Sequence, residues 1–211
     1  MLGRKQNRSH LIDQARQETV NMLDRAHQVF GIAWQILTEN GESEHLAKLD
    51  QEINESERMV RRLVIEHLTM NPEQELPTSL TLVSIVHDIE RLGDYAKSIA
   101  ELREMSDVTL ANGGLGRRCR EVQAEIEPMF ALAIEGITDD NEAKAEALMA
   151  QHREIKAQTD KITSDAVANE QSDRSDLLAV LVSRYLRRVS AHLSNVVSSI
   201  VNPFDLIARN N

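Results

Sequence analysis

The sequence predicts an all-α chain: two tandem three-helix bundles related by internal duplication. Three observations carry this. Apolar residues recur three or four apart through most of the length, the period of an amphipathic helix. Breakers fall in the same order in both halves. Only 4 prolines, 8 glycines and 3% aromatics occur in 211 residues, while Ala, Leu, Glu, Gln and Arg fill the long segments. With 41% hydrophobic residues, the chain has the means to bury a core.

The first helix runs from about His10 to Glu39, with Leu11, Ala15, Met22, Ala26, Val29, Ala33, Ile36 and Leu37 on one stripe. Asn40-Gly41 supplies a left-handed stop. A second helix begins near Ser43 and ends at about Met70, where Asn71-Pro72 breaks it, because the residue before proline avoids helical angles. Pro77-Thr78-Ser79 restarts the chain, and a third helix spans about Ser79 to Met105 with Val83, Val86, Ile89, Leu92, Ala96, Ile99 and Leu102 along its apolar face.

Ser106 to Gly116, which contains Asn112-Gly113-Gly114, is the least periodic stretch and sits mid-chain. It divides the chain into a first repeat, residues 1–110, and a second, residues 111–211. A fourth helix is predicted from about Arg117 to Ile137 with a kink near Pro128, and a fifth from about Asn141 to Ala168. A polar turn at Gln171 to Asp176 precedes a sixth, which Asn202-Pro203 stops after Val201. Short connections make neighbouring helices antiparallel.

Net charge is −10, which argues against a sequence-independent grip on nucleic acid. The single cysteine, Cys119, has no internal disulfide partner, and no Cys/His cluster shows zinc spacing, so a reducing cytoplasm is expected. Arg4, Lys5 and Arg8 are basic, yet Asn7, Ser9 and His10 stand where a signal peptide needs an apolar run. No apolar run is long enough to span a bilayer, so a membrane role would mean docking.

On the third helix Glu90 and Asp94 lie four apart on one face, and on the second Asp50, Asn54 and Glu57 lie four and three apart. Asn54 and Asp94 each stand twenty residues from a turn centred near Gln74, so the two acidic faces come level, with Glu57 near Glu90. Crowded carboxylates either rise in pKa or are neutralised by an oxygen-preferring divalent cation. The plainer alternative is a solvated charged face balanced by Lys97 and Arg61, one turn away.

The run Asp88-Ile89-Glu90-Arg91-Leu92-Gly93-Asp94-Tyr95-Ala96 resembles the motif that closes each repeat in the PhoU family. Leu49-Asp50-Gln51-Glu52-Ile53-Asn54-Glu55-Ser56-Glu57 is similar to that family's second-helix motif. Asn195-Val196-Val197-Ser198-Ser199-Ile200-Val201-Asn202-Pro203-Phe204-Asp205 resembles the ending of PhoU-like domains attached to sodium/phosphate cotransporters. The resemblance implies a non-enzymatic regulator of phosphate uptake and signalling. It would contact a membrane phosphate transporter, whether a sodium/phosphate cotransporter or an ATP-driven permease, or a sensor kinase, at the inner face of the membrane. It leaves a homodimer open. It also implies a divalent or iron-type metal ion in the first repeat, on Glu90 and Asp94 assisted by Asp50 and Asn54, and the counted register adds Glu57 to that set.

The second repeat departs from the motif. Arg187 and Ala191 replace the Glu and Asp, and His152 and Lys156 stand where the fifth helix should offer Asp and Asn, which puts a second metal site in doubt. Arg187 is expected to pair with Asp160, level with it across the hairpin, and His192 to be hydrogen-bonded or solvated. Two rival readings remain. A metal-storage or metal-dependent bundle calls for Glu-x-x-His pairs, but Ser84 precedes His87 and Val189 precedes His192 at that spacing. A plain oligomerisation module shares the fold and lacks the transporter.

Overall fold

The computed structural model describes residues 10–39, 44–105 and 107–202. The sequence readings at Arg4 to Ser9, Asn40-Gly41, Ser43, Ser106 and Pro203 to Asp205 lie outside them. All regular structure among the described residues is helical: α1 His10–Glu39, α2 Glu44–Met70, α3 Leu76–Met105, α4 Gly114–Asp139, α5 Glu142–Ala168 and α6 Arg174–Val201.

Three boundaries differ from expectation, each for a local reason. Helix α3 starts at Leu76 rather than Ser79. Pro77 falls in its first turn, where the missing N–H has no intrahelical acceptor to lose. Helix α4 starts at Gly114 rather than Arg117. A Cβ on Gly116 would stand 2.3 Å from the Ala111 carbonyl oxygen, so only glycine lets the linker fold back against that first turn. Helix α6 starts at Arg174, because the Asp173 carboxylate accepts from the amides of Ser175 and Asp176. Pro128 sits inside one continuous helix. Helix α4 closes on Asp140 in the left-handed conformation, and Asn141 caps α5 by accepting from the Lys144 amide.

Helices α1, α3, α6 and α4 form the inner layer; α2 packs on α1 and α3, and α5 on α4 and α6. The halves meet through α3 against α6 and α1 against α4. At the second contact Phe30 and Phe130 lie 5.5 Å apart, His27 stacks on Phe130 at 4.7 Å, and the Arg16 guanidinium donates to the Ile137 carbonyl and Asp140. The core is one continuous apolar cluster running through all six helices. Cys119 belongs to it, donating to the Ala179 carbonyl, and burial pushes its thiol up to about 12, so it is an inert core residue. No helix among the described residues is long and apolar enough to cross a membrane.

Candidate functional site

The α2–α3 hairpin places Glu57 near Glu90, as counting outward from the turn predicts. A glycine sets the spacing. A Cβ on Gly93 would lie 3.2 Å from Ile53 Cδ1 and 3.8 Å from Asp50 Oδ1, so its absence lets α3 approach α2 beside the carboxylates. Glu57 lies close enough to Glu90 to act on its titration.

Each acid has a nearby cation. Lys97 Nζ donates to Asp50 Oδ2 at 3.0 Å and lies 3.7 Å from Asp94 Oδ1, bridging the helices. Arg91 Nη1 donates to Asp94 at 3.0 Å, and Arg61 pairs with Glu57 at 2.8 Å. Asn54 spends its side-chain amide on the Asp50 carbonyl. Burial pulls the Lys97 ammonium down, but its hydrogen bond to Asp50 and the charges of Asp50 and Asp94 outweigh this and raise it.

Glu90 is the exception. Its Oε2 is buried with no hydrogen bond, and His87 and Arg91 come no nearer than 3.7 Å. Burial raises its pKa first, and the charges of Asp94 and Glu57 add to that against the opposing Arg91 and His87. Among the described residues no three His, Cys, Asp or Glu are arranged to hold a metal ion. The donor set has the oxygen chemistry of a divalent site, and an ammonium stands between two of its carboxylates.

The second repeat lacks that acidic character. Arg187 pairs with Asp160 across α5 and α6, as expected from their level positions. His152 is buried, and its Nδ1 is 3.0 Å from Ser190 Oγ. Burial, then the charges of Lys156, Arg187 and Arg153, lower its pKa to about 4, so it is neutral at pH 7.

His192 is hydrogen-bonded, and its partner is one that spacing arguments miss. Its Nδ1 lies 2.7 Å from Asp88 Oδ1, which also accepts from Asn195 Nδ2 at 2.8 Å, while its ring stacks on Tyr95. One signal for this was present. Asp88 is three residues after Ile85 and four before Leu92, so it lies on the apolar stripe of α3, and a carboxylate there needs a buried partner.

Residues 12–103, from α1 almost to the end of α3, match the family model of the PhoU domain. Over these residues the chain is similar to the PhoU domain. Solved PhoU structures share the fold over nearly the whole length. The crystal structure of PhoU from Pseudomonas aeruginosa superposes with a TM-score of 0.77 at 15% identity, covering 95% of this chain and 98% of that one. That of the phosphate transport system regulatory protein PhoU from Streptococcus pneumoniae gives 0.79 at 14% identity, covering 90% and 93%. No curated protein sequence matches the chain. The acids of the α2–α3 hairpin all fall inside the matched PhoU domain, while Arg187 and His152 lie outside it.

Proposed function

We propose that this protein regulates phosphate uptake and phosphate signalling without catalysing a reaction, as a cytoplasmic adaptor that docks on a membrane phosphate transporter. The observation that carries the reading is the PhoU domain over residues 12–103 within a fold that follows PhoU along nearly all of the chain. The ending from Asn195 to Asp205 favours a sodium/phosphate carrier over an ATP-driven permease or a sensor kinase. Apolar side chains left exposed at both hairpin turns supply contact surface: Met70 and Leu76 at one, Val167 and Leu177 at the other.

The test is affinity capture of the tagged chain from detergent-solubilised membranes of its own cells, grown in high and in low phosphate. A phosphate transporter or a phosphate-responsive kinase should co-purify in a phosphate-dependent manner, and Val167→Glu with Leu177→Glu should weaken the capture. Capture of neither class under either condition refutes the adaptor role.

The first-repeat face supports a second, compatible reading, a divalent or iron-type ion on Glu90, Asp94, Asp50, Asn54 and Glu57. The buried, unbonded Oε2 of Glu90 favours it, since a cation there would satisfy the one oxygen that Arg91 and His87 leave unbonded. Elemental analysis of chelator-free protein, wild type against Glu90→Ala with Asp94→Ala, decides it; equal metal content in both ends it.

A further inference from the structure

The α5–α6 face of the second repeat inverts the chemistry of the first. Arg184, Arg187, Arg188 and Ala191 follow one another at helical spacing along α6, and His152 and Lys156 face them from α5. Together they line a hollow of about 220 Å³. One water takes up roughly 30 Å³ of the liquid, so there is room for an oxyanion with part of its hydration shell. Ala191 stands where the first repeat has Asp94, and its short side chain leaves the hollow open.

Charge in the hollow is unbalanced. Among the described residues, Lys156, Arg184 and Arg188 have no carboxylate within 4.0 Å, and Arg187 has only the half-exposed Asp160. The ionic groups facing the hollow are therefore Lys156, Arg184, Arg187 and Arg188, with Arg153 acting from α5 and Asp160 as the one acid. His152, the remaining titratable group of the lining, is neutral at pH 7 and so adds no positive charge of its own. Arg184 and Arg188 also repel each other four residues apart. A chain of net charge −10 has acids to spare, as the hairpin of the first repeat shows, yet places one here. An anion seated in the hollow would relieve this repulsion. Guanidinium groups suit the tetrahedral, multiply charged phosphate group, which accepts paired N–H donors.

We propose that this hollow binds a phosphate-type oxyanion through Lys156, Arg184, Arg187 and Arg188. The same chemistry is offered by free inorganic phosphate and by a phosphomonoester lipid headgroup. The site stands apart from the transporter-docking role, because the capture experiment could fail and the anion still bind.

Calorimetric titration of the full chain with inorganic phosphate, in potassium chloride at fixed ionic strength, tests the first source. Pelleting with phosphatidylcholine vesicles, with and without phosphatidic acid, tests the second. The variant Arg184→Gln with Arg188→Gln alters two exposed side chains that make no ion pair and removes their mutual repulsion, so its melting temperature without ligand should equal or slightly exceed that of wild type; Lys156→Gln gives an independent probe from α5. Saturable phosphate binding, weakened at least tenfold in the double variant and less in Lys156→Gln, supports a free-anion site. Silence toward phosphate, with pelleting that requires phosphatidic acid and is lost in both variants, supports a headgroup site. No saturable response in either arm, or an equal response from Arg117→Gln, an exposed charge on α4, overturns the proposal.

Discussion

Asp88 Oδ1 and His192 Nδ1 lie 2.7 Å apart, joining α3 of the first half to α6 of the second through a buried carboxylate. Asn195 donates to the same oxygen at 2.8 Å. This contact ties the segment of α3 that carries Glu90 and Asp94 to the helix that carries Arg187.

Replacing Asp88 by Ala leaves the imidazole and an amide without their acceptor between packed helices. A loss of about 2–3 kcal/mol is expected in urea unfolding at pH 7, with a smaller loss for Asp88→Asn, whose amide oxygen still accepts. An effect of Asp88→Ala below about 0.5 kcal/mol, the range of ordinary surface changes, would show that water satisfies these groups equally well.

His152 makes stability depend on pH. Its folded pKa, about 4, lies below the ordinary value of 6.5. Between those values the unfolded chain takes up a proton that the folded chain refuses. Stability should thus fall as pH drops from about 6.5 to 4 and level off below, by about 1–2 kcal/mol after solvent screening of the neighbouring cations. Denaturant midpoints across this range check it: His152→Gln should flatten the slope, and an unchanged slope would place the proton elsewhere.

Glu90 has the opposite sign, since its folded pKa is raised. The stability it contributes is present below its unfolded pKa and is lost as pH rises through the folded one. Glu90→Gln, which mimics the protonated acid, should raise the melting temperature at pH 7, worth a few tenths of a kcal/mol after screening, and match wild type near pH 3. With a divalent cation bound, the order at pH 7 should reverse.

Lys97 stands between the carboxylates of Asp50 and Asp94. In Lys97→Gln those carboxylates lose their shared cation and repel each other, so uptake of manganese measured by elemental analysis should exceed wild type. Equal uptake would mean that the carboxylates do not converge once the ammonium is removed.

Gly116→Ala drives a Cβ to within 2.3 Å of the Ala111 carbonyl, where backbone rather than a yielding side chain must move. A loss of about 2 kcal/mol is expected by thermal unfolding, in the range of overpacked cores. The same change at Gly93 meets only the flexible tip of Ile53 and should cost less.

Much of this protein was written in the local sequence. Stripes at helical spacing and the Asn71-Pro72 break fix the helices to within a few residues, because each depends on neighbours along the chain. Hairpin length sets register, so Glu57 beside Glu90, and Arg187 on Asp160, could be counted from the turns. The starts of α3, α4 and α6 lie three residues before the counted ones, since a proline, a glycine or a capping side chain decides where the first turn closes.

Tertiary structure alone decided what those helices do to one another. Asp88 is a pivot because α3 is enclosed by α1, α2 and α6, and its partners lie more than a hundred residues away, beyond the reach of any periodic pattern. Lys97 could be named as a balancing charge from its spacing, but only the crossing of α2 and α3 at Gly93 places it between two carboxylates. The cationic hollow likewise needs two helices side by side. The sequence shows three arginines on α6 and a lysine on α5, and packing sums their fields in one place because charges interact through space rather than along the chain.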